Sequence, residues 1–117
     1  MLNRTERLDR TFAVLSDSTR RAILARLERE DALSVSELAR PHAIKLPAIM
    51  KHLDVLADAG LITRAKTGRT VTVRLQPRPM REAMEWLRRY ERFWTASLDR
   101  LTALTEAREI EARKSGR

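Results

Sequence analysis

A mostly α-helical chain carrying one small β-hairpin is what three observations in the sequence predict. Apolar residues recur at three- and four-residue spacing through most of the 117 positions. That rhythm gives way to alternation only between Leu61 and Leu75. Between these regimes, Ser34-Val35-Ser36-Glu37, Pro41, Pro47 and Gly60 punctuate the middle into two short helices flanking a turn. The resulting order, α-α-α-α-β-β-α, is a winged helix-turn-helix. It is expected as one domain over 1–117, with N-terminal helices at 5–33, the helix-turn-helix at 34–60 and the β-wing at 61–76. A C-terminal dimerisation helix at 79–108 and a disordered tail at 109–117 complete it.

Taken in order, Leu8, Phe12 and Leu15 repeat at helical spacing and predict a first helix from Thr5 to Leu15. Ser16-Asp17-Ser18 interrupts it, and Asp17 or Ser18 caps a second helix that ends near Glu30. Its apolar stripe is Ile23, Leu24 and Leu27, and Arg20, Arg21, Arg26 and Arg29 line its polar side. Arg20 is a candidate phosphate contact, although surface arginines on a helix are ordinarily solvated.

The S-x-x-E form of Ser34-Val35-Ser36-Glu37 is a capping box, in which Ser34 accepts from the N3 amide and Glu37 from the cap amide. It starts a helix at Val35 that ends near Arg40, because Pro41 cannot continue it. A connection through His42, Ala43 and Ile44 leads to a helix over Leu46 to Ala59. There Pro47 occupies the first turn and Gly60 is the C-terminal stop. Winding that helix places Leu46, Ile49, Leu53, Leu56 and Ala57 on one stripe, with Pro47, Lys51, Asp54 and Asp58 opposite. An ordinary amphipathic core helix shows the same pattern. What singles this one out is the short capped helix and turn before it, and a free face whose cations, Lys45 and Lys51, sit in the N-terminal half. Recognition helices meet the duplex with that half.

Leu61 to Lys66 and Thr70 to Leu75 are β-branched runs flanking Thr67-Gly68-Arg69, a hairpin with glycine at its tip. From Arg64 to Arg74 there are Arg64, Lys66, Arg69 and Arg74 and no acid. Such charges can serve solubility alone, but beside a recognition helix they suit backbone or minor-groove contact, with Arg69 leading. After Gln76-Pro77-Arg78-Pro79, the stripe Met80, Ala83, Met84, Leu87, Tyr90, Trp94, Leu98, Leu101 and Leu104 is widened by Trp86 and Phe93. That is more apolar surface than one small domain needs, so a second copy is expected to cover it. The interface candidates are Leu8, Phe12, Met84, Leu87, Tyr90, Trp94, Leu98 and Leu101. The aromatic residues could instead line a ligand pocket.

Ser34 to Ala39, Leu46 to Ile62 with its Lys51-His52-Leu53 and Ala59-Gly60-Leu61 runs, and the upstream Ser18 to Leu24 together resemble the arsenic-repressor (ArsR) family. The resemblance runs from Leu8 to Leu104. It implies a dimeric winged helix-turn-helix repressor in which the Lys45 and Met50 positions face DNA, and the helix reading adds Leu46, Pro47 and Lys51 to that surface. Two departures stand at that surface. Lys45 replaces a small capping hydroxyl, and Met50 replaces the serine before Lys-His-Leu, so the DNA sequence read here is expected to differ from that of relatives. Ala43 stands where the family's turn often has glycine; a left-handed Ala43 would cost about 1 kcal/mol.

Lysine and arginine number 24 against 16 acids, a formal charge of +8, which favours a polyanionic partner. The absence of cysteine removes disulfides, thiolate metal sites and cysteine nucleophiles. Two histidines, His42 and His52, lack a further ligand at metal spacing, and the final helix has none, so a non-metal-sensing member is expected. No constellation of catalytic side chains is present, so neither enzyme activity nor a cofactor is expected. With no apolar run of 18 residues and no leader, the chain is expected in the cytoplasm, at the nucleoid, without membrane contact. The expected partners are double-stranded DNA and a second copy, and a small-molecule effector is left open. The competing reading is a ligand- or protein-binding module using the aromatic helix, with incidental basic charge. An RNA-binding winged helix fits the charge but not the apolar stripe.

Overall fold

The computed structural model describes residues 3–41 and 45–115. The elements are α1 (Arg4–Leu15), α2 (Ser18–Arg29), β1 (Leu33–Ser34), α3 (Val35–Ala39), α4 (Leu46–Asp58), β2 (Ile62–Thr67), β3 (Thr70–Leu75) and α5 (Arg78–Leu87). A 3-10 turn (Arg88–Tyr90) and α6 (Glu91–Ser115) follow. The connection through His42, Ala43 and Ile44, and with it the conformation expected of Ala43, lies outside the described residues. The chain forms two compact units, Met1–Ala83 and Met84–Arg117. The physical reason is burial: the core stops at Ala83, and every side chain described in α6 is exposed.

In the first unit, Asn3 and Glu6 form a capping box at the start of α1, with bonds of 2.9 and 3.3 Å. The buried stripe of α1 is Leu8, Thr11 and Val14, not Leu8, Phe12 and Leu15. Thr11 enters the interior because its Oγ1 donates to the Arg7 carbonyl at 3.0 Å, leaving no unsatisfied hydroxyl. Phe12 consequently faces outward. Asp17 caps α2 by accepting from the Arg20 amide at 2.9 Å, and this amide is the main reason its carboxyl lies below the usual carboxylate range.

The core joins Ile23, Leu24 and Leu27 of α2, Leu38 of α3, Ile49, Leu53 and Leu56 of α4, and Leu61, Ile62 and Val73 around the wing. Each such side chain contributes roughly 1.5–3 kcal/mol on leaving water. Leu46, expected on this stripe, is 52% exposed, so the buried face of α4 begins at Ile49. The hairpin is part of a three-stranded antiparallel sheet in the order β1-β3-β2. Two-residue β1 pairs Leu33 with Val73 and Ser34 with Thr72, which makes β3 the central strand. Two residues are too few to show alternation, so the sequence did not announce β1.

In the second unit, the expected helix over 79–108 is divided. The Glu91 amide donates to the Arg88 carbonyl, tightening one turn between α5 and α6. Trp86 and Tyr90 pack across that turn with ring centroids 5.4 Å apart. The helix then runs through Ser115, where a disordered tail had been expected from 109. Glu106, Ala107, Arg108, Glu109, Ala112 and Arg113 are good helix formers, and Glu109 precedes Arg113 by four residues, so local propensity sustains the backbone without burial.

Candidate nucleic-acid interface

The interface rests on α3 and α4. At α3 the Ser34 hydroxyl accepts from the Glu37 amide at 3.1 Å, while the Glu37 carboxylate accepts from the Ser34 amide at 3.2 Å. The bond from the Ser34 amide, followed by a contribution from the Ser34 side chain, holds the Glu37 carboxyl below its usual range. The Arg26 guanidinium donates to the Glu37 carbonyl at 2.7 Å and so ties α2 to this short helix.

At α4, Lys45 is the N-cap and makes no side-chain cap bond; its carbonyl accepts from the amides of Ala48 and Ile49. Pro47 sits in the first turn without needing a partner for a missing N–H. With no acid in its first turn, the helix begins with positive character from its dipole and from Lys45. Lys51 is exposed one turn further on. His52 is partly buried, its Nδ1 3.8 Å from the Asp17 carboxylate, which places it as a packing residue beside an acid.

The wing is fixed at its base by buried Leu61 and Ile62 and by the Gln76 amide donating to the Leu61 carbonyl at 2.8 Å. Pairing of Thr67 with Thr70 leaves Gly68 and Arg69 as the two-residue turn. Gly68 has φ +61°, the sign that the first central position of a type II′ turn requires. Thr67, expected in the turn, belongs to the strand.

These elements bring Leu46 and Met50 of α4 together with Arg69 of the wing tip. With Ser34, Val35, Ser36, Thr70 and Val71 they line one cleft of about 280 Å³. Leu46 presents its side chain to solvent there, whereas Met50 is half-buried and packs partly on the core. Lys45, Pro47, Lys66 and Arg69 are exposed.

Two expected contacts are placed differently. Arg20 turns back on α1: its Nε donates to the Val14 carbonyl at 2.9 Å and an Nη to the Ala13 carbonyl at 3.3 Å. The last turn of α1 has carbonyls without helical partners and no basic residue of its own, so Arg20 and Arg21, which donates to Leu15, supply the caps. Arg64 is bound to the Asp54 carboxylate at 2.6 Å and is not a free cation. Asp54 went unrecognised because nothing local in the sequence links it to a strand ten residues later. Among the expected interface residues, Leu8 is buried in its own chain. Phe12, Met84, Leu87, Tyr90, Trp94, Leu98 and Leu101 are exposed.

Comparison with known proteins agrees with this geometry. A helix-turn-helix domain family matches residues 15–65. The HTH-type transcriptional regulator Rv2034 of Mycobacterium tuberculosis is 38% identical over 90 residues, covering 77% of this chain and 80% of the relative. The crystal structure of the ArsR family transcriptional regulator RHA00566 superposes with a TM-score of 0.73 at 39% identity, covering 81% of this chain and 97% of that one. An ArsR-like regulator from Rhodococcus sp. RHA1 gives 0.65 at 33% identity, over 86% and 93% of the two chains. With its capped α3, its Pro47 helix and its Gly68-tipped wing, the chain belongs to the ArsR family of winged helix-turn-helix transcriptional regulators.

Proposed function

We propose that this regulator is a repressor that binds duplex DNA as a homodimer, with α4 in the major groove and the wing on the backbone or minor groove. The observation that carries the reading is the cleft where the exposed start of α4 meets Arg69 at the wing tip. Two elements with separate origins in the chain meet there, and between them they carry the exposed cations Lys45, Lys51, Lys66 and Arg69. Lys45 and Lys51 position the helix and reach for guanine or phosphate. Leu46, Pro47 and Met50 offer apolar contact, which suits thymine methyl groups. Lys66 and Arg69 grip phosphates.

The apolar residues of α6, from Trp94 to Leu104, are exposed in the single chain and support pairing with a second copy. Two recognition helices related by a dimer axis would meet half-sites about 10 bp apart, or a multiple of that. The protein acts in the cytoplasm on nucleoid DNA, without enzyme activity.

Selecting bound sequences from a random duplex pool tests this. The expected result is an inverted repeat with that spacing, containing thymine at positions facing Leu46 or Met50. Recovery of unselected sequence, or of single unpaired sites, overturns it.

A further inference from the structure

Sheet register decides where the wing's cations point. Directly opposed residues of an antiparallel pair share a face. Arg64 opposes Val73, and Val73 is fully buried, so Arg64 lies on the face of the hairpin that turns toward the helices. Arg74 and Thr72 lie on the other face, opposite Thr63 and Ala65. The two strands are also unequally supported. β3 is held on one side by β1 and on the other by β2, whereas β2 is an edge strand exposed from Thr63 to Thr67. Beyond its buried base, β2 is joined to α4 by a side-chain hydrogen bond from Arg64 to Asp54, at 2.6 Å.

We infer that Asp54 and Arg64 form a strut that sets the wing's angle to the recognition helix, so that both are positioning residues for DNA binding and Arg64 is not a phosphate contact. This rests on the DNA-binding reading above. Asp54 stands two turns past Leu46 on α4, and Arg64 stands two residues past the buried Ile62 on β2. The strut therefore braces the hairpin on the β2 side of the corner made by Gly60 and Leu61, where β2 has no further strand neighbour, while β1 holds the β3 side. An exposed pair contributes little to folding, so its removal should leave the fold intact. Loss of a preset wing angle is instead felt when DNA must order it.

The experiment measures duplex affinity and its salt dependence for wild type, Asp54→Asn, Arg64→Ala, the double variant and Asp54→Glu, at a temperature where circular dichroism shows each folded. The strut predicts about three- to fivefold weaker binding for each of the first two, an unchanged salt slope, a double variant no weaker than either, and near wild-type binding for Asp54→Glu. Amide hydrogen exchange across the β2–β3 ladder of the free protein should quicken in Asp54→Asn.

Three results overturn the inference: unchanged or tighter binding by Asp54→Asn, a salt slope lowered by about one unit in Arg64→Ala, or unchanged exchange. Failure of the wild type to bind any duplex overturns the DNA-binding reading instead, and the exchange measurement still decides the strut.

Discussion

The Leu61 amide donates to the Leu56 carbonyl across 3.0 Å, and that bond turns the recognition helix into the wing. With the Gly60 amide donating to Ala57 at 2.9 Å, it completes a Schellman stop whose two flanking leucines are both fully buried. The stop needs a left-handed residue, and Gly60 supplies φ +75°. A β-carbon there would meet Pro79 Cγ at 3.6 Å, an ordinary contact, so the penalty for substitution is conformational. Gly60→Ala should cost about 1 kcal/mol. Thermal melting should show a fall of roughly 4–8 °C, and an unchanged midpoint would contradict the helix stop described here.

Acid should weaken the first unit through two helix caps. Asp17 and Glu37 both have folded-state carboxyls held below the ordinary range by backbone amides. Such groups stabilise the fold above their unfolded values, and that contribution disappears as pH falls through the depressed folded values. Melting temperature should therefore hold from neutrality down to the ordinary carboxylate range and fall below it. Asp17→Asn with Glu37→Gln keeps side-chain acceptors and removes the titration, so its acid-induced decline should be visibly shallower. Parallel declines would show that other groups govern acid unfolding.

Arg20 is assigned to the end of α1 by its bonds to Val14 and Ala13. Arg20→Ala should lower stability by about 1–2 kcal/mol in urea unfolding, since two carbonyls lose a charged donor. The salt slope of DNA binding should not move. A slope lowered by one unit with stability intact would return Arg20 to the DNA surface.

Leu98 and Leu101 are 58% and 59% exposed in the single chain, too much apolar surface to leave to water. Leu98→Glu together with Leu101→Glu should sediment as a monomer and bind duplex about tenfold or more weakly, because one half-site is lost. Sedimentation unchanged from wild type would place the pairing surface elsewhere.

What was legible in the sequence was local. Ser34 with Glu37, Pro47 with Gly60, and the alternation from Thr70 to Leu75 each fix a boundary within a few residues, and α3, α4 and β3 fall where those signals put them. What escaped depends on partners distant along the chain. Thr11 displaced Phe12 from the buried stripe because its hydroxyl could return to Arg7, and β1 exists only because β3 arrives forty residues later. The basic candidates divided for the same reason. Composition marks Arg20, Arg64, Lys66 and Arg69 alike, and only three-dimensional neighbours reveal that two of these four arginine and lysine charges are already engaged within the protein.

The most direct trial of the whole account is a gel-shift titration of wild type, Lys51→Ala and Arg69→Ala over a range of salt concentrations. Each variant should bind more weakly and lower the salt slope by about one unit, one substitution acting from α4 and the other from the wing tip. If both retain full affinity with an unchanged slope, α4 and the wing are not what this protein offers to DNA.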